Sequence, residues 1–150
     1  MNKTLIVSGL MAAIACGAFA ADKKVEAPRK PAPKGAKAYI VHPKDGKTVK
    51  PKFKVIFGLK NMGVAPANID LPNTGHHHLL IDAKELPAMN MPLPMGPTCK
   101  HFGGGQTEVV LELPPGKHTL QLVLGDFAHI PHNPPVVSEK ITITVAEPEK

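Results

Sequence analysis

Residues 107–124 have the sequence TEVVLELPPGKHTLQLVL, and this stretch decides the fold class. Before the segment at 114–117, apolar side chains occupy every second position, at Val109, Leu111 and Leu113. After it the same spacing returns, at Leu120, Leu122 and Leu124. A period of two is typical of strands with one buried face. The stretch therefore predicts an antiparallel β-hairpin closed by Pro114-Pro115-Gly116-Lys117.

Short β-rich runs separated by Pro and Gly extend outward from this stretch, and no helical periodicity holds over a dozen residues. The predicted strands are 38–42, 53–60, 76–82, 107–113, 118–125 and 139–145. Six to seven strands in this length indicate an all-β fold, an immunoglobulin-like antiparallel β-sandwich covering residues 39–147.

The first 20 residues have the features of a secretory signal peptide: a positive Lys3, an apolar stretch to Phe19 and an A-x-A cleavage site at 18–20. We expect a mature chain that starts at Ala21 and is periplasmic or secreted. The apolar stretch is shorter than the roughly 20 residues that span a bilayer, so no transmembrane segment is expected in the mature chain.

The net charge of +6 lies mostly in residues 21–38, which carry +4, whereas residues 39–150 carry +1. This Ala, Pro and Lys-rich segment is predicted to be a disordered, extended linker. With one Tyr and no Trp, the chain lacks the aromatic platforms used to bind single-stranded nucleic acid, and no nucleic-acid partner is expected.

Two cysteines are present, and Cys16 leaves with the signal peptide unless it anchors a minor lipoprotein form. Cys99 then stands alone. In an oxidising compartment such a thiol is buried, bridged between chains or kept for chemistry, and its redox state stays open.

Three consecutive histidines, His76 to His78, lie within a predicted strand. Because side chains alternate between faces, His76 and His78 share one face and His77 points to the other. Histidine is the commonest metal ligand. We therefore expect His76 and His78 to cooperate at one ion, with His77 structural or supporting.

The stretch 83–106 is predicted to be a long loop, and loops of this length are usually functional or disordered. It carries soft donors, the thioethers of Met89, Met91 and Met95 and the thiol of Cys99, together with the imidazole of His101. Soft donors select Cu(I), whereas imidazole accepts Cu(II) or Zn(II). Alternatively, the methionines cover the apolar end of the sandwich.

A second histidine segment follows the strand 118–125, and prolines at 131, 134 and 135 stiffen it. It presents His129 and His132. The remaining histidines, His42 in a turn and His118 at a strand start, are predicted to be structural.

The blocks GHHHLLID (75–82), HFGGGQTE (101–108) and HIPHNPPV (129–136) resemble a family of small exported bacterial proteins known as a domain of unknown function. The resemblance covers about 39–145. Six histidines match the pattern of that family position by position, namely His76, His77, His78, His101, His129 and His132. The methionines and Cys99 are features of this chain.

These observations predict a periplasmic histidine-rich metal-binding protein, a copper carrier or buffer in particular, whose cofactor is a copper or zinc ion. The alternative is a non-catalytic envelope module that binds glycan or a partner protein, with the histidines in a structural hydrogen-bond network. No Ser-His-acid set, phosphate loop or zinc-hydrolase spacing is present in the sequence, so an enzyme is not expected. Metal-assisted hydrolysis or oxidation, with Gln106 and Glu108 beside the metal, stays open as an alternative.

Overall fold

A computed structural model describes residues 28–148 of the chain, and the predicted signal peptide lies outside this part. Regular structure within residues 28–148 is all strand, with no helix. The nine strands are β1 (Lys37–His42), β2 (Thr48–Val49), β3 (Lys52–Lys60), β4 (Gly63–Val64), β5 (Thr74–Ile81), β6 (Cys99–His101), β7 (Glu108–Glu112), β8 (Gly116–Gly125) and β9 (Ile141–Val145).

The strands form two sheets, as predicted for a β-sandwich. One sheet has the order β1-β3-β7, and the other has the order β2-β9-β8-β5-β4 with β6 also paired to β5. The long pairs are antiparallel, whereas the short pairs β2–β9 and β4–β5 are parallel. All six predicted strands are present. The three additional strands have only two or three residues each, too few to show a period of two.

The main core lies between the two sheets. Alternate residues of β3, namely Phe53, Val55 and Phe57, belong to one apolar cluster with alternate residues of β8 and β9. Those of β8 and β9 are Leu120, Leu122, Leu124, Ile141, Ile143 and Val145. Removal of this apolar surface from water is the dominant stabilising contribution to such a fold.

The predicted hairpin between β7 and β8 was wrong. β7 pairs with β3 in the three-stranded sheet, whereas β8 pairs with β5 and β9 in the other sheet. The intervening segment therefore crosses from one sheet to the other. Alternation determines which side chains face the core, and Leu111 and Leu120 both do so. It does not determine which strand is the hydrogen-bonded neighbour.

The outer face of the six-stranded sheet is also covered, so β8 is buried on both faces from Leu120 to Gly125. A second apolar cluster lies there and consists of Leu80, Leu93, Cys99 and Val123. Part of the cover comes from the predicted loop 83–106, which contains the short strand β6. The fold therefore has a second interior, outside the sandwich core.

The predicted linker, residues 21–38, is described only from residue 28 onward, and that part lies against the domain. Pro31 forms a parallel bridge with Asn133. Arg29 donates a hydrogen bond from Nε to the carbonyl oxygen of Pro131 at 3.0 Å. The bridge and the side-chain bond hold residues 29–31 against the domain, whereas the sequence predicted a disordered, extended linker.

Candidate metal centre

The histidine triplet divides between the two faces of β5, as its alternation predicts. The imidazole of His77 faces the sandwich core, where its ring centre lies 5.2 Å from that of Phe57. His76 and His78 face the covered outer side, and their ring centres are 4.8 Å apart. β5 is held by β8 on one side and by β6 and β4 on the other. Two imidazoles are thereby fixed in the middle of a sheet.

His101 reaches the same place from β6, because it is the direct antiparallel partner of His78. Its ring lies over Gly103. A Cβ atom on Gly103 would come within 2.3 Å of Cε1 and 2.6 Å of Nε2 of His101. Gly103 therefore leaves the space that the His101 imidazole occupies.

His129 is supplied by the loop after β8, and Asp126 shapes that loop. Oδ1 of Asp126 accepts hydrogen bonds from the backbone N–H of Ala128 at 2.8 Å and of Ile130 at 2.9 Å. The backbone N–H of His129 donates to the carbonyl of Asp126 at 2.9 Å. His129 itself has a φ of 67°, in the left-handed region that few residue types adopt. The turn directs the fourth imidazole to the other three.

The four-histidine cluster, His76, His78, His101 and His129, has all six pairs of rings in contact. The distances between ring centres are 4.8 Å for 76–78, 5.0 Å for 76–101, 5.0 Å for 76–129, 5.1 Å for 78–101, 5.9 Å for 78–129 and 4.8 Å for 101–129. One ligand nitrogen from each of the first three residues lies within 4.8 Å of the others. The sequence predicted all four as ligands, and the structure brings their rings together. Among the described residues, the group of converging nitrogens includes His76, His78 and His101 but not His129.

The imidazoles of the cluster are buried to different degrees. His76 and His78 have no exposed surface, whereas His101 and His129 are partly exposed. Within residues 28–148, both nitrogens of His76 and His78 and Nε2 of His101 lack a hydrogen-bond partner. An unpaired buried polar atom costs about 1–3 kcal/mol. This arrangement leaves lone pairs on the ring nitrogens of His76, His78 and His101 free to bind a metal ion.

Burial also keeps these imidazoles neutral. It lowers the pKa of His76 to about 4 and that of His78 to about 3, and repulsion from the neighbouring cluster histidines adds to both shifts. Burial, followed by the charge of His129, lowers the pKa of His101 as well. A metal ion binds the neutral form of imidazole. His76, His78 and His101 are therefore in their metal-binding form at neutral pH.

The soft donors of the predicted site are placed differently. Cys99 lies in the second apolar cluster, and burial raises the pKa of its thiol to about 11, so the thiol stays protonated. Among the described residues, the group with converging ligand atoms does not include Cys99. Met89 and Met91 are half-buried, and Met95 is 67% exposed. The thiol of Cys99 therefore gives no support to copper binding at this cluster.

The structure places the other predicted ligand, His132, outside the cluster. Its imidazole is buried beside backbone groups of Thr74 and Leu124, and burial lowers its pKa. His118 shares a hydrogen bond between Nδ1 and the Asp82 carboxylate at 2.7 Å, in keeping with the structural role predicted for it.

Sequence reasoning missed the residues that support the cluster. Gly103 belongs to a Gly triplet that resembles a flexible linker, yet it accommodates a ring. Gly125 has a similar function, since a Cβ there would lie 2.9 Å from Cε1 of His78.

Four imidazoles packed against one another are a donor set for a borderline divalent metal ion such as Cu(II) or Zn(II). Chemically, the cluster can bind such an ion without any acidic ligand.

A model of the family described as a domain of unknown function (DUF4399) matches residues 55–146, a range that contains the whole cluster. No match was found among curated proteins. Among solved structures, an endo-beta-1,4-mannanase from Thermotoga petrophila aligns with 75% of this chain and 20% of its own chain, at 18% identity and a TM-score of 0.43. No helix within residues 28–148 is long and apolar enough to cross a membrane.

Proposed function

This chain belongs to the DUF4399 family of domains of unknown function, and we propose that it is an exported protein that binds one copper or zinc ion through four histidines. The single observation that carries the proposal is the four-histidine cluster, whose rings contact one another in all six pairs. Imidazole rings that converge without hydrogen-bond partners are costly in a core unless something binds their nitrogens. One metal ion would bind one nitrogen of each ring and so remove part of this cost.

The role proposed is that of a carrier or buffer outside the cytoplasm. Export is inferred from the predicted signal peptide at residues 1–20. Exchange is inferred from the burial pattern, because His101 and His129 are partly exposed while His76 and His78 are fully buried. An ion at this cluster has a route to solvent and to an envelope partner protein.

The alternative function, an envelope module with the histidines in a structural hydrogen-bond network, has less support. Such a network requires nitrogens that are paired with protein groups. Within residues 28–148, both nitrogens of His76, His77 and His78 have no such partner.

The test is calorimetric titration of the purified, metal-free protein with Zn²⁺ and Cu²⁺. We expect one equivalent of each ion to bind tightly to the native protein, and affinity to fall strongly in His129→Asn and His101→Gln. Asn tolerates the left-handed backbone of residue 129, so the first variant removes the imidazole and keeps the turn. The matched control is His42→Ala, which removes an exposed histidine outside the cluster. Equal weak binding by all four proteins would overturn the proposal.

A further inference from the structure

We infer that the four-histidine cluster is shaped for a tetrahedral ion, Zn²⁺, in preference to Cu²⁺, which seeks a square plane. The inference rests on the proposed function, since it concerns the identity of the ion at the same cluster. It is carried by the distances between the four rings.

The two geometries require different distances between ring centres. A metal–nitrogen bond of about 2.0–2.1 Å places the ring centre about 3.2 Å from the ion. Four rings around a tetrahedral ion are then about 5.2 Å apart in every pair. Around a square-planar ion, neighbours are about 4.5 Å apart and the two opposite pairs about 6.4 Å apart.

The observed distances match the tetrahedron. Five of the six fall between 4.8 and 5.1 Å, and the remaining pair, His78 and His129, is at 5.9 Å. A square plane needs two long opposite pairs. The pair opposite to His78 and His129 is His76 and His101, at 5.0 Å. The four rings therefore surround a point rather than lying around it in one plane.

The sheet opposes flattening of this arrangement. His76 and His78 belong to one strand, two residues apart, and His101 is fixed opposite His78 by the β5–β6 pairing. Three of the four ligands thus sit on hydrogen-bonded strands. Only His129 comes from a loop, so a copper ion that draws the rings into a plane has to rotate side chains that start from fixed backbone positions.

Nitrogens of His76, His78 and His101 converge in the described residues. The His129 ring lies against these three, so the four imidazoles can supply a tetrahedral shell without soft donors. Zinc in proteins is almost always four-coordinate and tetrahedral at such closed sites. Cu(I) favours thiolate and thioether ligands, and Cys99 lies in the neighbouring apolar cluster rather than among the converging ligand atoms of the described residues.

The experiment compares Zn²⁺ and Cu²⁺ by competition in the native protein, in His129→Asn and in the His42→Ala control. Copper binds most nitrogen sites more tightly than zinc, so the measured quantity is the change in the Cu/Zn affinity ratio between proteins. Removal of His129 breaks the tetrahedron and frees copper to flatten its shell. We expect the Cu/Zn ratio to rise about tenfold or more in His129→Asn and to stay at its native value in the control. Co²⁺ serves as a spectroscopic probe, and we expect the strong visible absorption of a tetrahedral ion in the native protein.

The two failures are distinguishable. If one ion binds at the histidines but Co²⁺ gives the weak spectrum of a six-coordinate ion and the Cu/Zn ratio does not change, the tetrahedral inference is overturned and the proposed function stands. If no ion binds, or if His129→Asn and the control bind as the native protein does, both are overturned.

Discussion

The imidazole of His77 differs from those of its two neighbours, because it faces the sandwich core and packs against Phe57. Neither of its nitrogens has a hydrogen-bond partner within residues 28–148. We expect His77→Leu to raise the free energy of unfolding by about 1 kcal/mol, since an unpaired buried polar group costs about 1–3 kcal/mol. Urea denaturation of the metal-free protein measures this change.

The same variant separates the two functional hypotheses. A structural hydrogen-bond network predicts that loss of His77 lowers stability, whereas the metal-site hypothesis predicts an unchanged affinity for zinc. Destabilisation by more than about 1 kcal/mol would favour the network.

Gly103 is the residue on which the position of the His101 ring depends. Because an added Cβ would lie 2.3 Å from that ring, we expect Gly103→Ala to displace the imidazole and to weaken zinc binding about tenfold or more. The matched control is Gly96→Ala, since a Cβ at Gly96 meets nothing within 4 Å. Competition with a chromophoric chelator gives both affinities, and equal values for the two variants would contradict the prediction.

At the scale of elements, the loop after β8 presents His129 through the side chain of Asp126. Two backbone N–H groups donate to its Oδ1. Asp126→Asn keeps an oxygen acceptor at this position, whereas Asp126→Ala removes it. We therefore expect zinc affinity to fall about 10- to 100-fold in the Ala variant and by less than about threefold in the Asn variant. Isothermal titration compares them, and similar losses in both would mean that the carboxylate charge, not the turn, matters.

The face on which a side chain lies was predictable from the sequence, because it depends only on the residues of its own strand. The period of two assigned His76 and His78 to one face of β5 and His77 to the other, as observed. Strand pairing was not predictable, because β7 and β8 alternate equally well as a hairpin or as strands of two sheets. Strand pairing depends on contacts between segments that are distant in the chain. The pairing of His78 on β5 with His101 on β6 is one such contact.

At the scale of the whole molecule, buried neutral histidines couple folding to pH. Burial lowers the pKa of His76 and His77 to about 4 and of His78 to about 3, from about 6.5 in an unfolded chain. Below pH 6.5 the unfolded chain therefore binds protons that the folded chain does not. Stability falls as pH is lowered toward 4, by about 1 kcal/mol per pH unit for each such histidine. His118 acts in the opposite direction, since burial opposes its charge but the bonds to Asp82 and Pro114 raise its pKa.

We expect the metal-free protein to lose stability steadily from pH 7 to pH 5 in urea titrations. Zinc at about 100 times its dissociation constant should add about 2.7 kcal/mol at pH 7. The zinc contribution should shrink in acid, because protons compete for the same nitrogens. Constant stability across this range would show that these histidines are not held neutral by the fold.

The cluster also shows how far whole-molecule features could be predicted. Each histidine was identifiable as a candidate, but the sequence did not distinguish His129 from His132, three residues later. Backbone geometry does so, because the positive φ of His129 turns its ring inward. The surroundings of Cys99 were equally hidden, since they depend on Leu80 and Val123, which come from distant parts of the chain.

The unequal burial of the four imidazoles gives the cluster a direction. His76 and His78 are fully buried on β5, while His101 and His129 lie on the partly exposed side of the cluster. If the protein is the proposed carrier, we expect an acceptor protein to replace the two outer histidines one at a time while the two buried histidines still hold the ion. Transfer by such stepwise ligand exchange never releases a free ion, and its rate depends on the concentration of the acceptor.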